Sequence, residues 1–220
     1  MALRLLRSKA GSFPEVRIFR IGVLLMSSSV ETPMQGKPKA TRYVAFLKGI
    51  NVGGHRVKMD VLRDLFKALN FSEVATFIAS GNVFFETFET DAIAIEQRIE
   101  THLKQSLGYQ VDTFVRTTDE LAAIVGFQPF AFEEMEAPGH TVHVGFLRDP
   151  LAGEIEKKLV AFRTDFDEFR IQGREFYWLC RGKTTDSKVS WPVVAKTVKT
   201  SSTMRNLTTV RKIAGLYPPS

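Results

Sequence analysis

Cysteine is almost absent from this 220-residue chain, which contains only Cys180. A single cysteine excludes an intramolecular disulfide framework and is compatible with a reducing compartment, so we expect a soluble cytoplasmic protein. Histidine is also scarce. His140 and His143 would point to opposite faces of one strand, and His55 and His102 have no companion at the spacing of metal ligands. We therefore expect no metal site and no cofactor.

A long apolar run is lacking as well. A membrane-spanning helix needs about 20 apolar residues, whereas the stretch Ile21–Met26 is short and follows several arginines. The same features make a poor secretory signal. We expect residues 1–40 to form a flexible extension, with an organellar transit peptide or an upstream start codon as alternatives. A chain that begins at Pro38 should melt within a few degrees of the full-length protein.

The positive net charge of +6 is distributed unevenly along the chain. Residues 1–40 carry +5, residues 41–180 carry −6 and residues 181–220 carry +7. A uniformly basic surface is thus excluded, which weakens the interpretation of a high pI as a sign of nucleic-acid binding. The basic C-terminal segment predicts either a specific anionic partner or counter-charge to the acidic body.

Residues 41–127 show the periodicities of a β-α-β-β-α-β unit. The predicted strands are Tyr43–Leu47, Val74–Ala79, Val83–Phe88 and Tyr109–Arg116. Helices are predicted to begin at Asp60 and Asp91, both good N-cap residues, and Gly108 is predicted to end the second helix.

The pattern then restarts after a short helix and a linker. Thr117 and Glu120 predict a capping box for that helix, and residues 128–139 read as a linker loop. The second unit has predicted strands at Thr141–Leu147, Phe166–Ile171 and Glu175–Cys180 and a helix with Pro150 at its first position. The repeat predicts an α+β fold with two tandem ferredoxin-like halves, 41–127 and 140–220, the second ending in a basic helix.

Four motifs occur in order along the chain: KGINVGG at 48–54, FIASGNVFF at 77–85, DSKV at 186–189 and TMRNLTTVRKI at 203–213. They resemble an uncharacterised bacterial family, domain of unknown function 1697, from Thr41 to about Leu216. The resemblance implies a tandem α+β fold and brings no established activity.

The loop after the first predicted strand combines Lys48, Gly49, Asn51, Gly53 and Gly54. Glycines let backbone N–H groups approach a ligand closely, and such loops often bind phosphate or another anion. The string matches neither GxGxxG nor GxxxxGK[ST]. In the alternative interpretation, the glycines only occupy positive-φ turn positions and the asparagine side chain bonds its own backbone.

A second polar turn, Ser80-Gly81-Asn82, joins two predicted strands. It is favoured as a tight hairpin turn. We expect this turn and the KGINVGG loop to lie at opposite ends of the sheet, roughly 17 Å apart. They should then not share one small site.

The basic C-terminal segment contributes further candidates. Thr203 and Arg205 are expected at a helix N-terminus, where a hydroxyl and a guanidinium favour an anion. Asn206 is also well explained as the N-cap of that helix. Arg181 and Lys188 could add positive charge, although a solvated basic face is the commonest explanation of such a cluster. We expect these residues to converge in space on one of the glycine loops.

We therefore expect binding of a phosphate-bearing small molecule or nucleotide. The candidate ligand-binding residues are Lys48, Gly49, Asn51, Gly53, Gly54, Ser80, Gly81, Asn82, Arg181, Lys188, Thr203, Arg205 and Asn206. One alternative is single-stranded nucleic acid, stacked on aromatics of the strands VFFETF (83–88) and FYWLC (176–180). Another is an enzyme of unrecognised type, whose polar groups would come from the two glycine loops and the C-terminal arginine.

Overall fold

The structure is a computed structural model that describes residues 39–78 and 81–219. The predicted extension at residues 1–40 lies outside the described residues, apart from Lys39 and Ala40. Ser80 of the second polar turn lies outside them too. The described residues belong to one compact unit.

The described chain contains both predicted units and the segments that follow each of them. The first half consists of β1 (Thr41–Leu47), α1 (Met59–Lys67), β2 (Ser72–Phe77), β3 (Asn82–Thr87), α2 (Ala92–Leu107) and β4 (Thr113–Thr117). The segment between the halves holds α3 (Thr118–Gly126) and α4 (Phe132–Met135). The second half consists of β5 (Thr141–Leu147), α5 (Gly153–Val160), β6 (Asp167–Gln172), β7 (Glu175–Cys180), α6 (Trp191–Val198) and β8 (Ser202–Asn206), and α7 (Leu207–Leu216) follows it.

Each half forms a four-stranded antiparallel sheet with the same strand order. The orders are β2-β3-β1-β4 and β6-β7-β5-β8, which is the ferredoxin-like arrangement in both cases. The register repeats as well, because Leu47 lies opposite Thr113 in the first sheet and Leu147 lies opposite Ser202 in the second. The predicted fold class, two tandem ferredoxin-like halves, is confirmed.

The alternation of side chains along the strands explains how the two halves pack. In β1, Tyr43 and Ala45 face α1 and α2, whereas Val44 and Phe46 join a core shared with the second sheet. The rings of Phe46 and Phe146 stack with their centroids 4.0 Å apart. The sheets therefore lie face to face, with α1 and α2 outside one sheet and α5 and α6 outside the other.

Several local signals act as predicted. The Asp91 side chain accepts hydrogen bonds from the first-turn backbone of α2, and Gly108 ends that helix in the left-handed region with φ +82°. Thr117 and Glu120 form the predicted capping box of α3. Short-range hydrogen bonds decide these boundaries, so the sequence pattern is sufficient to place them.

Some predicted boundaries are wrong where no such bond exists. The N-cap of α1 is Lys58 rather than Asp60, which lies in the first turn and interacts favourably with the helix dipole. The helix α5 begins at Gly153, not at Pro150, because the fixed φ of proline also suits the extended loop before the helix. Strand ends shift by a few residues: β2 ends at Phe77 and β4 begins only at Thr113.

The prediction that the two polar loops lie at opposite ends of the sheet is also wrong. The Leu47 N–H at the end of β1 donates to the Gly81 carbonyl at 2.8 Å, and Phe46 lies opposite Asn82. The helix α1 joins β1 to β2 by a crossover, so these two strands run parallel, one on each side of β3. Their C-terminal ends therefore lie at the same end of the sheet. The ferredoxin-like topology itself therefore brings the loops together.

The C-terminal segment folds differently from the prediction. Thr203 and Arg205 lie within β8, not at a helix N-terminus, and β8 supplies the fourth strand of the second sheet. The α7 helix begins only after Asn206, whose side chain accepts from the Thr208 N–H, so the capping role of Asn206 is confirmed. None of the helices in the described ranges has the length and apolarity needed to cross a membrane.

Candidate functional site

Arg205 connects β8 with both polar loops of the first half. Its Nε donates to Asn82 Oδ1 at 2.8 Å, and one Nη donates to the Leu47 carbonyl at 2.9 Å and the Gly81 carbonyl at 3.4 Å. The other Nη donates to Thr203 Oγ1 at 2.9 Å. Burial lowers the pKa of Arg205 to about 10. The predicted convergence on the glycine loops is thus confirmed for Arg205, whose hydrogen bonds to Asn82, Leu47 and Gly81 hold the two loops together.

Arg116 makes the equivalent connection in the opposite direction. It lies in β4 and donates to the carbonyls of Leu147, at the end of β5, and of Arg174, in the β6–β7 turn. Its Nε also donates to Glu175 Oε1 at 2.6 Å. Burial raises the pKa of Glu175, and the Arg116 charge opposes that shift. The two halves are therefore joined by a pair of arginines at corresponding positions.

Gly81 permits the close approach of the hairpin turn to the KGINVGG loop. Its φ is +75°, and a Cβ there would lie 2.7 Å from Ile50 Cγ2 and 3.0 Å from Leu47 Cβ. An alanine would be strained and would also collide with the loop. Asn82 beside it is fully buried, and its Nδ2 donates to the Phe77 carbonyl at 3.0 Å. Both residues therefore have structural contacts that fix the loop position.

The KGINVGG loop is held at both ends and exposed at its tip. Gly49, Gly53 and Gly54 have φ values of +69°, +65° and +88°, so all three occupy turn positions that favour glycine. Asn51 Oδ1 accepts from the Val57 N–H at 2.7 Å. The Tyr109 hydroxyl donates to the Ile50 carbonyl at 2.9 Å. The turn interpretation of these glycines is thus confirmed, while the loop still presents its N-terminal end to a neighbouring cleft.

This cleft, which we call the β8 cleft, lies between the first loop and the second half. Its volume is about 420 Å³, and its lining consists of Lys48, Gly49, Val52, Trp191, Ser202, Thr203 and Met204. The volume is within the usual range for small-molecule sites. The β8 cleft brings together the KGINVGG loop, the start of α6 and the edge strand of the second sheet.

Lys48 is held at the cleft by residues from both halves. Its Nζ donates to Ser201 Oγ at 3.0 Å and to Asp112 Oδ2 at 3.4 Å, and Ser201 Oγ donates to the same carboxylate. Burial alone would raise the pKa of Asp112, but the bonds from Ser201 and the Lys48 charge lower it overall. The Lys48 side chain is 44% exposed, so its ammonium remains accessible to a ligand.

Ser202 is the second polar group of the cleft. The residue is only 2% exposed, and its Oγ has no hydrogen-bond partner in the part of the chain that the structure describes. A buried hydroxyl without a partner costs about 1–3 kcal/mol. Ser202 thus places an unsatisfied polar atom at the lining of the β8 cleft.

Two basic residues outside β8, Arg181 and Arg211, pair with carboxylates rather than with the glycine loops. Arg181 donates to Glu134 Oε1 at 2.7 Å and to Glu168 Oε2 at 2.8 Å. Arg211 pairs with Glu136 at 2.7 Å. These contacts match the alternative expectation of counter-charge to the acidic body. Lys188 is exposed and is not among the described residues that line the β8 cleft.

Most aromatic side chains of the two predicted aromatic strands are buried. Phe84, Phe85, Phe176, Tyr177 and Trp178 are all at most 1% exposed. One face of each sheet is covered by helices and the other by the opposite sheet. The second sheet therefore covers the face that a single ferredoxin-like domain leaves open. Binding of single-stranded nucleic acid stays a prediction, and Phe88, which is 69% exposed, is the aromatic of these two strands that lies at the surface.

Cys180 is buried and His143 is half-buried in the second half. Burial raises the pKa of the Cys180 thiol to about 12, in line with its interpretation as a small buried hydrophobe. Burial lowers the pKa of His143 to about 4, and its Nε2 lies 2.7 Å from Thr184 Oγ1. Neither residue lines the β8 cleft.

The sequence prediction missed four residues of the cleft: Val52, Trp191, Ser202 and Met204. A signal for the last three was present in the internal repeat. A second ferredoxin-like unit needs a helix and a fourth strand after Cys180, and Pro192 with Val194 and Val198 at helical spacing predicts that helix. Completing the repeat would have placed a strand at residues 202–206.

The structure defines a class of α+β proteins in which two ferredoxin-like halves pack sheet to sheet. The model of the family described as "Protein of unknown function (DUF1697)" matches residues 40–177, and the chain belongs to this family. The chain is also similar to the structure of conserved bacterial protein SP0830 from Streptococcus pneumoniae, with a TM-score of 0.61 and 20% identity over 81% of this chain and 98% of that chain. That likeness concerns the fold. No curated protein matches the chain.

Proposed function

We propose that the protein binds a phosphate-bearing small molecule in the β8 cleft. The observation that carries the proposal is the meeting of Lys48 and Gly49, from the first glycine loop, with Ser202 and Thr203, from the C-terminal motif, around one cleft. Two segments far apart in the chain, each a candidate for anion binding by its composition, thus line a single cleft.

The charges around the cleft favour an anion. The Lys48 ammonium borders it directly, and the Arg205 guanidinium lies behind it, bonded to Thr203 and to the carbonyl of Leu47. A lysine that donates to a phosphate oxygen typically contributes about 1.5–3 kcal/mol. The Asp112 carboxylate reduces this attraction, because it shares the Lys48 ammonium. A bound phosphate would draw the ammonium away from Asp112, and Ser201 would keep the carboxylate hydrogen-bonded.

The location is part of the same proposal. The single cysteine of the chain is buried and free. A free cysteine is compatible with a reducing compartment. We propose a cytoplasmic protein whose partner is a phosphate-bearing metabolite.

Isothermal titration of the full chain against inorganic phosphate, sugar phosphates and nucleotides tests the proposal. We expect at least one organic phosphate to bind, and we expect Lys48→Gln to weaken it by about tenfold, in line with the loss of a charged hydrogen bond. Lys158→Gln is the matched control, because Lys158 is exposed on α5 and outside the cleft. No heat with any phosphate, or equal losses in the two variants, would contradict the proposal.

A further inference from the structure

We infer that the ligand of the β8 cleft is a nucleotide, with its planar base at Trp191 and the backbone of Ser202 and its phosphate at Lys48. This inference rests on the proposed function and adds the chemical class of the group attached to the phosphate. Three independent features of the cleft support it: an edge strand, a buried hydroxyl and an indole ring.

The edge strand provides a pair of backbone groups that suits a base. In the first sheet, the N–H groups of Thr113 and Val115 point away from β1, since they donate to side chains of α2. The same register places Ser202 and Met204 at the corresponding positions of β8. A residue at such a position presents its N–H and its C=O on one side of the strand. Ser202 therefore offers a donor and an acceptor that can bond the edge of a heterocyclic base.

Among the described residues, these backbone donors have no acceptor. β8 is the terminal strand of its sheet, and no hydrogen bond within the described ranges uses the N–H of Ser202 or of Met204 beyond the ladder. The buried Ser202 hydroxyl adds a third group without a protein partner there. Sugar phosphates would bury these groups without a matching planar edge, whereas a base presents donors and acceptors in one plane. The Ser202 region of the cleft thus suits a heterocycle.

Trp191 supplies the apolar surface for such a ring. It is half-buried, lines the cleft and has its indole nearly parallel to the ring of Phe176, with centroids 6.4 Å apart. Stacking of a base on an aromatic side chain typically contributes 1–3 kcal/mol. Val52 from the glycine loop is 62% exposed and adds a second apolar surface to the cleft. The lining is therefore apolar at Trp191 and Val52 and cationic at Lys48.

Titration calorimetry on the full chain separates the base from the phosphate. The probes are adenosine monophosphate, guanosine monophosphate, ribose 5-phosphate and inorganic phosphate. We expect at least one nucleotide to bind about tenfold or more tightly than ribose 5-phosphate, and we expect Trp191→Ala to remove that difference. Trp191→Phe should keep most of it, because a phenyl ring still stacks. Equal affinity for nucleotides and ribose 5-phosphate would overturn the nucleotide inference and leave the anion site intact.

Ser202→Ala gives a second readout that a purely structural serine would not show. Removing a buried hydroxyl without a protein partner should raise the melting temperature, while nucleotide affinity should fall several-fold. Ser201→Ala is the comparison, since that hydroxyl already bonds Lys48 and Asp112. Unchanged nucleotide affinity in Ser202→Ala would overturn the assignment of the base to β8. A preference for oligonucleotides over mononucleotides, falling steeply with salt, would also overturn it.

Discussion

The two halves share one topology, but they treat the outer edge of their fourth strand differently. In the first half, Glu96 accepts from the Val115 N–H and Glu100 accepts from the Thr113 N–H, so that α2 covers the edge of β4. Arg148 donates to both carboxylates. In the second half, the edge of β8 borders the cleft instead. A repeated fold can thus cover one sheet edge with a helix and place the equivalent edge beside a cleft.

The paired arginines show the same contrast. Arg116 meets the carboxylate of Glu175, whereas Arg205, at the corresponding position, meets the amide oxygen of Asn82. A buried ion pair has its charges matched within the protein. The guanidinium of Arg205 also bonds Thr203, which lines the β8 cleft, so its positive charge lies beside that cleft.

The largest expected effect tests the difference between the contributions of Arg116 and Arg205 to stability. Arg116→Met should cost about 3–5 kcal/mol of unfolding free energy, because it leaves Glu175 charged and buried. Arg205→Met should cost about 1–3 kcal/mol, because the oxygens it leaves at Asn82 and Leu47 are neutral. Urea denaturation measures both. The double variant Arg116→Met with Glu175→Leu should recover most of the first loss, and a larger loss for Arg205→Met would contradict the contrast.

A second comparison concerns the glycines of the two hairpin turns. Gly81→Ala should cost about 2–4 kcal/mol, because a left-handed φ is combined with contact of the new Cβ with Ile50 and Leu47. Gly173→Ala, in the β6–β7 turn, should cost only about 1 kcal/mol, because its φ is +59° but no atom lies within 4 Å of the new Cβ. Thermal unfolding of both variants checks the difference. Similar losses would show that loop contact at Gly81 is unimportant.

The third prediction concerns His143 of β5, which lies at the position equivalent to Tyr43 of β1. Burial lowers the pKa of His143 from an ordinary 6.5 to about 4. The unfolded chain therefore takes up a proton in the pH range where the folded protein does not. The stability that neutral His143 contributes is fully present above pH 6.5. As the pH falls to about 4, the free energy of unfolding decreases by about 2–3 kcal/mol.

Denaturant titrations at pH 7, 5.5 and 4 measure this loss in the wild type and in His143→Gln. The variant should lack this part of the pH dependence, although carboxylate titrations remain in both proteins. Parallel stability curves for the two proteins between pH 6.5 and 4 would refute the contribution of His143.

The smallest expected effect is on phosphate affinity, and it compares a residue beside the β8 cleft with a residue at the covered edge of β4. Asp112→Asn should increase phosphate affinity by about three- to fivefold, because the neutral amide attracts the exposed Lys48 ammonium less. Glu100→Gln is the counterpart at the covered edge and should leave the affinity unchanged. Calorimetry at low and at physiological salt checks both variants, since screening should reduce the gain. A weaker affinity in Asp112→Asn would mean that the carboxylate positions Lys48 for binding.

Much of the fold could be predicted because its signals are local. Side-chain alternation in β1, the N-cap at Asp91 and the capping box at Thr117 depend on residues within one or two turns of each other. The glycine turns are similar, since a positive φ is a property of one residue. Boundaries without a local hydrogen bond, such as the start of α5, were misplaced.

The candidate site was only partly predictable for the same reason. The glycine loop and the C-terminal motif were recognisable by composition, and Lys48, Gly49 and Thr203 do line the β8 cleft. Ser202 and Trp191 gave no signal of their own, because a serine and a tryptophan have no special meaning until a strand and a helix place them. Arg205 was expected to face a ligand, and it instead bonds backbone carbonyls across the sheets.

Interactions between residues close in sequence were thus enough to predict two β-α-β-β patterns with their caps and turns. Composition alone showed a basic segment after an acidic body. Packing of one sheet on the other decided the rest: which aromatics are buried, which arginines cross between the halves, and which strand edge remains open. These outcomes depend on contacts such as Phe46 with Phe146 and Arg205 with Asn82, between residues 100 and 123 positions apart. Such contacts form only when side chains that are distant in sequence share one interface, and no local periodicity encodes that interface.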